Sequence, residues 1–308
     1  MKKYLRNVLL GDIKVSEYST VTIQGEIIEK VYLETGGKRK DISKTHWLLC
    51  LNPIIFGIWF PIAEEVIYPE EGPYKMYYYD AASNGKVEAI LELTLFSKLE
   101  EQDGTLILAK LEKVNIFHVS HLKTLILFHR YYKKPEQDFY KLKSYSAAYS
   151  YPRKVRLISF EDDGWFNIFP MDLVGDIPGS KRYVFGLRHT NVTLSRIIKK
   201  GQMVVSEIPY QYKDIIYQLG KHHHQPLSDM EPPFEINRTE LFNFPIPIWA
   251  NSYKEIRIKK TLNLGSHMLL WGEEANEKQL NSASQHLYHI HFLHYLHQKA
   301  MNQVYQLV

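Results

Sequence analysis

The sequence predicts a mainly β chain, barrel-like, with a few helices and a second β-rich domain ahead of the barrel. Three observations carry that expectation. Aromatic residues make up 13% of the chain, 22 Tyr and 14 Phe among them, and such side chains fit a pleated, half-buried surface. Runs of β-branched and aromatic residues end at short turn signals, among them Gly36-Gly37, Asn84-Gly85 and Asp163-Gly164. The first half also lacks both a glycine-rich phosphate loop and strand–helix–strand alternation, which excludes a parallel nucleotide-binding sheet there.

Taken in order, Ser19 to Leu33 alternates loosely and stops at Gly36-Gly37. His46 to Phe60 reads as a buried strand pair broken near Asn52-Pro53, and Tyr74 to Asp80 with Val87 to Leu99 reads as a hairpin around Asn84-Gly85. Gln102-Asp103-Gly104 turns the chain back into Thr105 to Val119. Lys133-Lys134-Pro135-Glu136 marks a break, and Asp138 to Tyr149 is a short helix or an irregular connector. The expected organisation is therefore a β-rich unit over residues 1–135, a linker over 136–152 and a second unit over 153–308.

That second unit opens with strands at Val155 to Phe160, Trp165 to Pro170 and Arg182 to Leu187. Thr190-Asn191-Val192-Thr193 supplies helix-capping side chains, Leu194, Ile197 and Ile198 sit at helical spacing, and Gly201 stops the helix. Met203 to Ile208 returns to strand, and Tyr212 to Leu219 is a further candidate helix. After a polar, proline-bearing connection over 221–245 come strands at Ser252 to Leu262 and His267 to Glu274, joined at Asn263-Leu264-Gly265. Asn276 to Gln303 is expected to be helical.

Composition narrows the function. A chain of 308 residues that is 45% hydrophobic is not largely disordered. A net charge of +4, from 38 basic and 34 acidic residues, supplies no field for nucleic acid or membrane binding. The single cysteine, Cys50, excludes an internal disulfide framework and lies in an apolar run, as a core residue does. No targeting segment is read at the N-terminus, and the most apolar stretch, Trp47 to Ile62, is interrupted by Pro53 and Pro61. The expectation is a cytoplasmic protein.

Several motifs from about Arg153 to Glu274 stand in a telling order: Asp163-Gly164 leading to Asn167, Gly186-Leu187-Arg188, Thr190-Asn191-Val192-Thr193 before a helix, Val204-Val205-Ser206-Glu207, and Gly265-Ser266-His267 running to Trp271-Gly272-Glu273. In that order they resemble the flavin reductase-like family, whose fold is an FMN-binding split β-barrel. The resemblance covers about two fifths of the chain. It implies noncovalent FMN, hydride taken from NADH or NADPH and passed to flavin or another acceptor, and a homodimer with FMN near the subunit interface. By the same resemblance Arg188, Thr190, Asn191 and Thr193 hold the phosphate, and Asn167, Pro170, Met171, Asp172 and Leu173 line the flavin. His267 stands near the reactive edge as the catalytic candidate.

The residue types suit that chemistry independently. A helix N-terminus attracts a phosphate, Arg188 pairs with its oxygens, and an imidazole stabilises charge on a reduced ring. Ile168-Phe169-Pro170-Met171-Asp172-Leu173 departs from the family, which usually carries small hydroxyl residues there; Pro170 has no N–H, and an ionised Asp172 repels phosphate.

Two other readings stay open: a non-catalytic FMN-binding or sensor protein, and a heme-binding or interaction protein built on the histidine-rich tail. In that tail His291, His294 and His297 recur at helical spacing, but no carboxylate or cysteine shares the stretch, so no metal site is assigned. His222-His223-His224 reads as a solvated loop. The N-terminal half is either a diverged second barrel packed as a pseudo-dimer or an accessory β domain.

Overall fold

The computed structural model describes residues 4, 18–23, 26–62, 73–80, 85–132, 138–281, 285–300 and 305–307. The first half carries β1 (Tyr18–Ile23), β2 (Lys30–Thr35), β3 (Lys38–Asp41), β4 (His46–Leu51), β5 (Ile54–Pro61), β6 (Tyr74–Asp80), β7 (Lys86–Glu101) and β8 (Gly104–Ile116). Helices α1 (His121–Leu127) and α2 (Phe139–Ala148) follow. Asp138 caps α2 by accepting a hydrogen bond from Lys141 N, which settles that segment as helix.

The second half begins with β9 (Arg153–Lys154), β10 (Arg156–Asp162), β11 (Trp165–Met171), β12 (Val174–Asp176) and β13 (Arg182–Arg188). Next come α3 (Leu194–Lys200), β14 (Gln202–Glu207) and α4 (Lys213–Leu219). Gly201 ends α3 in the left-handed conformation expected of a helix stop. The chain continues through β15 (Ile236–Arg238), β16 (Pro245–Pro247), β17 (Ser252–Asn263), β18 (His267–Gln279), β19 (Leu287–His291), α5 (Phe292–Ala300) and β20 (Tyr305–Leu307).

The architecture is mainly β and antiparallel, as the sequence predicts. One seven-stranded sheet runs β3-β2-β6-β7-β8-β5-β4, and another runs β11-β10-β14-β17-β18-β13-β12. Numbered by appearance within its own half, each sheet reads 2-1-5-6-7-4-3, so the two halves share one strand order.

Both sheets must curl. In the second, β11 and β12 lie at opposite edges yet are joined by Asp172 and Leu173 alone. Those residues span at most about 11 Å, whereas a flat sheet of this size is about 29 Å across. In the first sheet, residues 42–45 join opposite edges in the same way.

The two halves meet along one apolar seam. Leu49, Trp59, Leu106 and Leu108 from the first pack with Val184, Leu269 and Trp271 from the second. Cys50 is buried in this seam, as its apolar run implies. A small third sheet, β20-β1-β19-β9, carries β1 across to the C-terminal strands and covers a separate core that includes Val21, Leu127, Phe128, Ile290 and Leu293.

The tail differs from the helix expected over 276–303. Residues 276–279 finish β18, Leu287–His291 form β19, and α5 begins only at Phe292. The reason is pairing: β19 finds β1 as a neighbour from Tyr18↔His291 to Thr22↔Leu287, and that tertiary partner overrides a weak helical tendency. Lys133-Lys134-Pro135-Glu136, Asn84, the end of the tail at Gln303 and all of the first twelve residues except Tyr4 lie outside the described residues. Among the described residues no helix is long and apolar enough to cross a membrane.

Candidate functional site

A cavity of about 340 Å³ opens where the second sheet meets the first half and the small third sheet. Its size suits a small-molecule or cofactor site. Pro170, Met171, Asp172 and Leu173 line it from the β11–β12 edge, Gly186, Leu187 and Arg188 from the end of β13, and His267 from the start of β18. The first half contributes Leu51, the segment from α4 onward contributes Tyr217, His223 and His224, and β19 contributes His289. Of the site residues read from sequence, Pro170, Met171, Asp172, Leu173, Arg188 and His267 are thus brought together.

Asn167, Asn191 and Thr193 lie deeper and spend their polar groups on the protein itself. Asn167 Nδ2 donates to Thr193 Oγ1 at 2.8 Å and to the His222 carbonyl at 2.7 Å, and its Oδ1 accepts from the N–H of Leu227 and of Ile168, each at 3.1 Å. Both Asn167 and Thr193 are fully buried. Asn191 Oδ1 accepts from Thr193 N at 2.8 Å, and its amide nitrogen meets His223 Nδ1 at the same distance.

The turn before α3 is satisfied in the same way. The N–H of Val192 goes to the His223 carbonyl, that of Thr193 to Asn191 Oδ1, and that of Leu194 to the Asn191 carbonyl. The donors that the sequence suggested for a phosphate are thus shared between the segment bearing His223, which takes the Val192 N–H and meets the Asn191 amide, and Asn191 itself. Thr190 is exposed and is not among the residues lining the cavity.

The cavity wall brings two neutral imidazoles, His267 and His223, together with the guanidinium of Arg188 and the carboxyl of Asp172. His267 is 2% exposed. Burial and then the charge of Arg188 push its pKa down to about 3, so the ring is neutral at ordinary pH. Its Nδ1 meets Ser266 Oγ at 2.8 Å, and Nε2 has no hydrogen-bond partner among the described residues. Ser266 is itself tied to the first half, where its Oγ accepts from Asn52 N and its N–H donates to Asn52 O.

His223 is also neutral, lowered to about 4 by burial, and its Nε2 meets the Pro170 carbonyl at 2.9 Å. Asp172 pairs with His289 Nδ1 at 3.0 Å. Burial alone would raise the Asp172 carboxyl, but the His289 hydrogen bond and charge outweigh it and hold the group below the usual carboxylate range.

Sequence reasoning did not place Leu51, Tyr217, His223, His224 or His289 at the site. The run His222-His223-His224 was visible, but no local pattern says which strand it folds against.

No protein-family model matches the chain, and no curated protein matches it. Among solved structures it is similar to an FMN-binding protein from Thermus thermophilus, with 16% identity over 45% of this chain and 81% of that one and a TM-score of 0.40. It is also similar to BorF, the flavin reductase component of a bacterial tryptophan halogenase, at 10% identity over 46% of this chain and 89% of the other, with a TM-score of 0.42. The NADH:FAD oxidoreductase SgcE6 of Streptomyces globisporus shows 12% identity, 50% and 94% coverage, and a TM-score of 0.44.

Proposed function

We propose that the cavity is a flavin site and that the chain is an FMN-binding oxidoreductase of the flavin reductase-like type, using NADH or NADPH as hydride donor. The observation that carries this reading is the buried, unpartnered Nε2 of His267, a residue that lines a largely apolar cavity together with Arg188. A buried polar atom left without a partner costs stability unless a ligand satisfies it. The motif order that resembles the family supplies the class of that ligand.

Leu51, Met171, Leu173 and Leu187 offer apolar surface to a flat ring, and His267 Nε2 offers one hydrogen bond to its polar edge. Arg188 and His224, both on the cavity wall, would take the phosphate in place of the occupied turn before α3. Asp172, held ionised by His289, lies on the wall where a ribityl hydroxyl or a ring N–H would meet an acceptor. Flavin bound there would supply the electron-transfer chemistry. The protein's part is to orient the reactants, exclude water and keep His267 neutral.

In this reading the first half is a second, diverged barrel that takes the place of a partner subunit, and the interface expected of a homodimer lies within the chain. The shared strand order supports this, as does the entry of Leu51 into the cavity.

The test is an absorption spectrum of the protein purified without added cofactor, followed by titration with FMN. Flavin bands, bleached anaerobically by NADH or NADPH, are the expected result. Flavin bands without bleaching would leave a passive binder, a Soret band would favour the heme reading, and a protein that takes up no flavin would overturn the proposal.

A further inference from the structure

Outside the residues that line the cavity, a second constellation forms where α5 meets the first sheet. Asp80 at the end of β6 and Glu88 near the start of β7 face His297 of α5. One ligand-capable atom from each lies within 4.8 Å of the others. His297 Nε2 stands 3.3 Å from Asp80 Oδ2 and 3.2 Å from Glu88 Oε1. Ligands about 2.0–2.1 Å from a tetrahedral ion lie about 3.4 Å apart, close to these separations.

A second observation concerns the carboxylates. Glu88 and Glu29 are each 2% exposed, and their oxygens have histidine ion-pair contacts but no aligned hydrogen bond among the described residues. His294 lies between them, its Nδ1 at 3.2 Å from Glu88 Oε2 and its Nε2 at 3.9 Å from Glu29 Oε1. Buried carboxylates are ordinarily paired, hydrogen-bonded or bound to metal. His118 is not an additional ligand, because its Nε2 meets Ser146 Oγ at 3.0 Å and its Nδ1 faces the Glu88 carbonyl.

We propose that Asp80, Glu88 and His297 bind one first-row divalent transition-metal ion, zinc being the expected occupant, with His294 orienting the Glu88 carboxylate. Two carboxylates and an imidazole that gives up its proton to the ion balance a dication, and a mixed nitrogen–oxygen set without thiolate selects zinc, manganese, iron or cobalt over magnesium or calcium. The ion ties α5 to β6 and β7 of the first half. Three protein ligands leave a fourth position for water.

The experiment uses the full chain without a polyhistidine tag. Metal content is measured after purification, then Zn2+, Co2+ and Mg2+ are each titrated into chelator-treated protein with thermal melting and Co2+ absorption as readouts. One equivalent of Zn2+ or Co2+ should bind and raise the melting temperature, and Mg2+ should do neither. His297→Gln, at the more exposed edge of the cluster, should weaken Zn2+ binding at least tenfold, whereas His224→Gln should leave it unchanged. The proposal is overturned if the wild-type chain takes up neither Zn2+ nor Co2+, in which case protonated His294 and His297 balance the carboxylates. It is equally overturned if bound metal survives His297→Gln or is lost with His224→Gln. None of these readouts depends on flavin.

Discussion

Arg188 and His267 are direct cross-strand partners, the last pair on the β13–β18 ladder. The corresponding ladder of the first half, β5–β8, ends in Pro61 opposite Gly104. At matching places in one strand order, one half carries a cation and an imidazole while the other carries a residue without an N–H and a residue without a side chain. The first half therefore lacks the charged group and the ring nitrogen that the second presents. Arg188 also acts on its neighbour, since its charge is the second cause, after burial, of the low His267 pKa.

On the proposed flavin reading, this pairing would separate phosphate from ring recognition. Arg188→Ala should weaken FMN binding about tenfold or more, the range of a charge-assisted hydrogen bond. Riboflavin, which has no phosphate, should lose much less. Equal losses in fluorescence-quenching titrations of the two ligands would place the phosphate elsewhere.

Gly186 lies hard against β4 of the first half. A Cβ built on it would lie 1.8 Å from the Leu49 carbonyl oxygen, a backbone atom that cannot swing aside. Gly186→Ala must therefore push β13 away from β4 and open the apolar seam. A loss on the order of 3 kcal/mol is expected from such overpacking, read as a lower denaturant midpoint. An unchanged midpoint would mean that the halves do not pack this tightly in solution.

Asn167 offers the contrasting case of a residue whose role is internal. Its side chain joins β11, the turn before α3 and the His222–Leu227 segment through four hydrogen bonds. Asn167→Leu would leave the Leu227 N–H and the His222 carbonyl without these partners, at a cost of about 2–4 kcal/mol. Because the damage is to the scaffold, FMN and riboflavin affinities should fall together, unlike the response to Arg188→Ala.

These contrasts show how far the sequence could be read. The strands of both halves were visible because turn residues bound runs of β-branched and aromatic side chains. Arg188 and His267 stood out through motif order, and strand pairing does bring them face to face. Asn191 and Thr193 looked like phosphate ligands because a capping pattern is the same whether its donors meet a ligand or a folded-over loop. The loop that takes them lies in the polar stretch after α4, where no periodicity signals a packing partner. The shared strand order was hidden too, since Pro61 and Gly104 leave no trace of the Arg188–His267 pair. The tail histidines were seen without their carboxylates, because Asp80 and Glu88 arrive from strands some two hundred residues earlier.

Buried imidazoles and one buried carboxylate set the expected response to acid. His46 and His267 are lowered to about 3 and His223 to about 4, in each case chiefly by burial, against 6.5 for the free ring. Below pH 6.5 the unfolded chain takes up protons on these rings and the folded chain does not, so stability falls as pH falls, by about 2 kcal/mol per ring between pH 6.5 and 4.5. Glu207 adds a second window. Burial opposes its charge, but Arg156 and Lys154 hold its carboxyl down to about 2, against 4.5 when free. Its contribution is fully present above pH 4.5 and is lost as pH drops towards 2, on the order of 3 kcal/mol in all. Burial opposes the charge of His294, but carboxylate neighbours raise it to about 10 and His297 to about 9. These two rings act the other way, and each adds about 1 kcal/mol between pH 7 and 4.5, less than each lowered ring removes. Urea midpoints measured at pH 7, 5.5, 4.5 and 3.5 should therefore fall at each step. Glu207→Gln should flatten only the portion below pH 4.5. Constant midpoints from pH 7 to 4.5 would show that these histidines are solvated and protonated in the folded chain, and with them His267 would cease to be a neutral hydrogen-bonding group at the proposed flavin site.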